Sequence, residues 1–153
     1  MTPSEQEQSR KTFYCPHCLE KLSCLGGTVV KLSGRLSAKE FAVKTNFYLP
    51  AELGRYGAII EGQVEVGEGA RVEFCCPNPR CGTSFTATYN SDLAEIQMVD
   101  HERREYVVVF NRICGRRSTF LVDYRRKALL CSYGEDAESY AAAFERPLNF
   151  FGS

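Results

Sequence analysis

The 153-residue sequence has no tryptophan, only two methionines and two histidines, and no excess of either charge: 19 basic residues meet 19 acidic ones. Zero formal net charge removes any overall electrostatic pull toward nucleic acid or acidic lipid, so such an affinity has to come from local patches. With His17 and His101 as the sole imidazoles, there is little material for a hydrolytic metal site or a histidine-activated nucleophile. Apolar runs are short. Nothing approaches the ~20 residues of a membrane span, and the opening MTPSEQEQSRK lacks the apolar segment of a secretory signal. No nucleophile elbow, phosphate loop or dinucleotide fingerprint occurs. These absences predict a cytoplasmic protein that is not an enzyme and does not engage a membrane.

What is present is an ordinary globular composition, 44% hydrophobic and 25% charged, in a chain of one domain's length or one domain with a small lobe. Such a chain buries a real core without covalent help. Its eight cysteines, in a reducing compartment where disulfides are rare, therefore read first as metal ligands and buried apolar residues.

Residues 1–11 read as a disordered leader. Strand signals follow at 28–32 and 41–43, and LPAEL (49–53) fits one helical turn closed by Gly54. In AIIEGQVEVGEGARVEF, Val64 and Val66, then Val72 and Phe74, alternate with charged residues on either side of Gly67-Glu68-Gly69, a hairpin pattern. Beyond residue 90 the texture changes. The stretches 93–99, 105–113, 118–123 and 127–133 are strand candidates, and their short polar links favour an antiparallel meander over parallel crossovers. Asp136 can cap a helix that Pro147 ends, with Ala137, Tyr140, Ala141 and Phe144 on one face, docked across the meander. The fold class is α+β, mainly β, with regions 12–90 and 91–153.

The cysteines carry the chemistry. Cys15-Pro-His-Cys18 and Cys76-Pro-Asn-Pro-Arg-Cys81 are two close pairs on tight turns, each at the end of a strand signal. Four thiolates so presented are what a tetrahedral Zn²⁺ takes, with backbone amides inside each turn donating to the sulfurs. Cys76 gives the tighter second loop and Cys75 a looser one, so Cys75 stays open as an alternative, as does Cys24 six positions after Cys18. Cys114 and Cys131 read as free thiols in the core of the meander.

At these residues the chain resembles a zinc ribbon, in which two cysteine knuckles clasp one metal. Here 57 residues lie between the knuckles, so the resemblance implies a ribbon carrying a long β insertion. The second knuckle, CPNPRCGTSF, is similar to that of the Ogr/Delta phage late-transcription activators at Cys76, Asn78, Cys81, Gly82 and Phe85. That likeness implies a structural metal and a DNA-binding, transcription-activating role.

Other readings compete for the same residues. CPHC has the spacing of a thiol-disulfide oxidoreductase, but the glycines after it leave no room for the long helix and βαβ unit of that chemistry. A redox sensor that releases zinc on oxidation uses the same four sulfurs. Between Arg103 and Lys127, eight basic residues meet two acidic ones. Arg103, Arg104, Arg125, Arg126 and Lys127, with Tyr106 and Tyr124, form a candidate anion-binding set able to grip phosphates and stack bases. Charged turns also serve simply to keep a sheet soluble and its edges blocked. The partner expected is a nucleic acid or another protein, including a second copy of the chain.

Overall fold

The computed structural model describes residues 11–36, 44–62, 66–141 and 144. The described chain is mainly β. Ten short strands run in order: β1 (Thr12–Tyr14), β2 (Ser23–Cys24), β3 (Val29–Leu36), β4 (Thr45–Pro50), β5 (Ile59–Ile60), β6 (Val72–Cys75), β7 (Leu93–Val99), β8 (Glu105–Asn111), β9 (Thr119–Asp123) and β10 (Leu129–Tyr133). One helical turn, α1 (Ala137–Tyr140), follows them.

Strands β7 to β10 form the antiparallel meander, with β1 added on the free edge of β7. The alternation that marks β7 in the sequence is the alternation of its burial. Ala94, Ile96 and Met98 enter the core, while Glu95 and Gln97 between them stay partly exposed. β7 and β8 pair over seven residues, from Leu93 opposite Asn111 to Val99 opposite Glu105. The second sheet has the order β2-β3-β4-β5, with β6 also on β3.

The two sheets are joined edge to edge by a pair of short hairpins. On β3, β2 takes Val29–Val30 and β6 takes Ser33–Leu36 of the same edge. On β7, β1 takes Gln97–Val99, and residues 84–86 take the rest: Thr86 bridges Ala94 and the Phe85 carbonyl accepts from the Glu95 N–H at 2.8 Å. β1 returns toward β2 (the Leu22 N–H donates to the Phe13 carbonyl at 2.7 Å), and β6 returns into 84–86 through a Cys75–Ser84 bridge. The hairpins thus span from β7 to β3 and lie in one row, tip facing tip.

Curvature brings the two sheets over one core that includes Phe13, Leu32, Phe47, Phe74, Ile96 and Val108. Phe74 sits at its centre, edge-on to Phe47 at 5.3 Å and tilted against Phe110 at 5.5 Å. The opposite face of the meander buries a second cluster around Leu93, Val109 and Phe120, covered by Ala137 and Tyr140 of α1, with the Phe144 ring 4.4 Å from that of Phe120.

Several sequence expectations shift. The helix docks on the meander as expected, but its described part is a single turn; Ala142, Ala143 and residues 145–153 lie outside the described residues. Asp136 does not cap it with its side chain. Its carboxylate accepts the Arg117 backbone N–H at 2.8 Å instead, pinning α1 to the β8–β9 link. LPAEL is the end of β4 followed by a bend, because Leu49 and Pro50 pair with Val30 and Val29. The expected strand at 41–43 and the Val64 position fall outside the described residues. The hairpin expected across Gly67–Gly69 does not supply β6 with its partner. β6 has β3 on one edge and Ser84 on the other, so both edges are taken.

Candidate metal centre

Where the two hairpin tips meet, Cys15 and Cys18 from the first face Cys76 and Cys81 from the second, and the four Sγ atoms lie within 4.8 Å of one another. The Cys15–Cys81 sulfurs are 3.8 Å apart and the Cys18–Cys76 sulfurs 3.6 Å, so both short contacts cross between hairpins. Four sulfurs placed tetrahedrally about 2.3 Å from a metal ion are about 3.8 Å from each other. The donor set therefore fits a metal ion in size, count and chemistry.

Each knuckle is shaped by its own sequence. In the first, the Leu19 N–H returns to the Cys15 carbonyl at 2.9 Å and Leu19 takes a left-handed φ of 62°. The turn aims the His17 N–H at Cys15 Sγ, 3.4 Å away. In the second, the Asn78 carbonyl accepts the N–H groups of both Cys81 and Gly82 at 3.0 Å, and Gly82, at φ 58°, redirects the chain. The Asn78 side chain accepts from the Arg80 N–H and donates to Glu20 Oε2 at 2.7 Å, which ties the second knuckle to the first. Thr83 Oγ1 lies 3.2 Å from Cys81 Sγ.

These surroundings divide the thiols. Burial pushes Cys15 and Cys76 up, since a thiolate there loses its water. Hydrogen bonding to the Thr83 hydroxyl brings Cys81 down to about 7. A metal entering the site has to displace protons from the two buried thiols, so its affinity rises with pH. Cys18 is exposed, leaving one corner open to solvent.

The remaining cysteines lie apart from this group. Cys75, adjacent to Cys76, is buried elsewhere, with its Sγ 3.9 Å from Glu73 Oε1. Cys24 ends β2, half-buried. Cys114 is half-buried just beyond β8, its thiol directed at the Val66 carbonyl at 3.7 Å. Cys131, expected in the core, is exposed because β10 is the outermost strand among the described residues and four of its five residues face solvent. Glu20 and Thr83 carry no sequence signal for their roles: Glu20 acts through a contact that exists only once the knuckles meet, and Thr83 through the folded turn of its own knuckle.

The basic set divides between the two ends of the meander. Arg103, Arg104, Arg125, Arg126 and Lys127 lie together, since the Tyr124 N–H donates to the Glu105 carbonyl across the two turns. Arg112, Arg116 and Arg117 lie at the other end. Carboxylates dilute the first group: Arg104 pairs with Asp100 and Glu102, and Arg126 with Asp123. Asp100 also accepts the backbone N–H groups of Glu102 and Arg104, and Asp123 those of Arg125 and Arg126. Arg103, Arg125 and Lys127 have no carboxylate partner among the described residues, and Lys127 lies over the exposed Tyr124 ring at 4.6 Å. Arg112 is buried and structural, donating to the carbonyls of Val72 and Ser91.

Compared with protein-family models, curated proteins and solved structures, the chain matches none. No helix among the described residues is long and apolar enough to cross a membrane.

Proposed function

We propose that the four cysteines hold one Zn²⁺ structurally, in the manner of a zinc ribbon, and that the protein is a non-enzymatic adaptor presenting an outer sheet edge to a protein partner. A closed four-sulfur set leaves the metal no position for substrate, which favours a clamp over a catalytic centre. The observation that carries the adaptor reading is β10. A register shift between Leu129 and Cys131 turns both leucines of this last strand outward, 40% and 42% exposed, beside backbone groups that no further strand among the described residues pairs. An exposed apolar edge of this kind favours strand addition by another chain. The simplest such partner is a second copy. Sedimentation equilibrium across a hundredfold concentration range should show a monomer–dimer equilibrium that Leu130→Lys abolishes. A monomer at every concentration, with no protein recovered on the wild-type chain that Leu130→Lys fails to recover, contradicts the reading.

A second reading has its own observation: Arg103, Arg125 and Lys127 without carboxylate partners beside the exposed Tyr124. It makes the meander end a grip on single-stranded nucleic acid, with phosphates on the cations and a base on the ring. Salt-dependent binding of an oligonucleotide, weakened by Arg125→Glu, supports it; binding unchanged in that variant sinks it. The local excess of charge is small, because five cations share this end with Asp100, Glu102, Glu105 and Asp123. The β10 edge is therefore the better supported surface.

A further inference from the structure

A cavity of about 330 Å³ opens between the two sheets, lined by none of the four clustered cysteines. Its inner wall is Phe13, Val30, Phe74, Ile96 and Val108, all buried and all apolar. Two segments frame its mouth: the loop after β4, from Glu52 to Ala58, and the link after β8, from Cys114 to Arg117. We propose that this cavity binds a small amphipathic monocarboxylate, its hydrocarbon end against Phe13, Phe74 and Val108 and its carboxylate on Arg117.

The inner end selects the hydrocarbon. No buried side-chain polar atom among the described residues lacks a partner, so the inner wall has no unmet hydrogen bond to offer a polar group. A preformed cleft that is apolar within and polar at its rim is the usual build of a small-molecule site.

The mouth selects the charge. Three guanidinium groups stand there, and two are already matched: Arg55 pairs with Glu52 at 3.4 Å, and Arg116 bonds the Tyr140 hydroxyl and lies 3.8 Å from Asp92. Arg117 has no carboxylate partner among the described residues. Its guanidinium lies over the Tyr56 ring, 5.7 Å from the centroid, a stacking that orients the planar fork. Tyr56 is itself fixed, with its hydroxyl 3.0 Å from Thr119 Oγ1 and donating to the Tyr133 carbonyl. A positioned guanidinium without a counter-ion suits one carboxylate, which it can bind through two parallel hydrogen bonds.

Size sets the length. At about 30 Å³ per heavy atom, the share of a water in the liquid, the cavity takes roughly ten heavy atoms. An eight-carbon acid is a probe on that order of size. The site shares no residue with the cysteine cluster or with β10, so it stands independently of the zinc and adaptor readings.

The test uses the full-length chain and three probes of one length: octanoate, octan-1-ol and octylamine. Calorimetry should give one saturable octanoate site per chain, at least tenfold tighter than octan-1-ol, with octylamine weakest. On saturation the methyl resonances of Val30, Ile96 and Val108 should shift and those of Leu129 and Leu130 should not. Arg117→Ala, at an exposed position, should erase the preference for octanoate over octan-1-ol while leaving the octan-1-ol affinity within twofold. Absence of saturable binding overturns the proposal. So does a preference that survives Arg117→Ala, or a set of shifts centred on the β10 leucines.

Discussion

At the scale of the residue, adjacent positions have opposite fates. Cys75 and Cys76 are both buried, yet only Cys76 reaches the four-sulfur group. The tighter spacing to Cys81 favoured Cys76 in the sequence but left Cys75 open, because spacing alone does not say which of two adjacent side chains a strand end turns toward the knuckle. The Glu20–Asn78 link and the Thr83 contact were not legible, since their partners lie in another turn or depend on the folded knuckle. Gly34 is a further case of a role hidden in sequence. It reads as a weak strand residue, but a Cβ placed there would stand 2.7 Å from the Phe47 ring and 3.0 Å from Val72. Overpacking at such a contact costs about 1–3 kcal/mol. Gly34→Val should therefore lower the free energy of unfolding by that amount, read as a lower urea midpoint at unchanged slope, without changing metal content; an unchanged midpoint would show that β3 and Phe47 have room to move apart.

At the scale of the element, the meander was the most legible part. Its strands are rich in β-branched and aromatic residues and its links are too short for crossovers, which leaves antiparallel neighbours as the geometry available. The two-residue strands β2 and β5 were not legible, since two residues carry no period and exist as strands only through their neighbours. LPAEL misled because its helical composition is overridden by pairing with β3. The turns of the meander carry a pH signature. In the β7–β8 turn, burial acts to raise Asp100, but bonds from the Arg104 backbone, the Tyr106 hydroxyl and the Arg104 side chain outweigh it and hold the carboxyl below its ordinary value. In the β9–β10 turn, the Arg126 backbone N–H does the same for Asp123. A depressed carboxyl stabilises the fold above its unfolded pKa, and that contribution fades as pH falls through the folded value. Both turns should keep their amide protection from pH 8 to 5 and lose it only below about 4, the unperturbed Asp value. Carboxyl carbon titration by NMR checks this: midpoints at or above the ordinary value for both residues contradict it.

At the scale of the whole molecule, the cysteines join elements that the chain places far apart. The tips hold β1 and β2 against β6 and 84–86, and those four segments are what connect β3 to β7. One core runs through both sheets, with Leu32 and Phe47 from one side and Ile96 and Val108 from the other. Loss of the metal should therefore loosen both sheets together. A zinc chelator at neutral pH is expected to lower the thermal midpoint by more than about 10 °C in a single transition, and to speed amide exchange in β3 and β7 alike. Loosening confined to β1 and β2 contradicts a clamp that serves the whole fold. Cys131→Ser, on the exposed strand, should leave that midpoint within about 1 °C, as surface changes do.

The most direct test is the metal content of the freshly purified protein by mass spectrometry, for wild type, Cys76→Ser and Cys75→Ser. One zinc per chain in the wild type, retained in Cys75→Ser and lost in Cys76→Ser, is the predicted result. A wild-type chain without metal, or one that loses zinc with Cys75→Ser and keeps it with Cys76→Ser, contradicts the account.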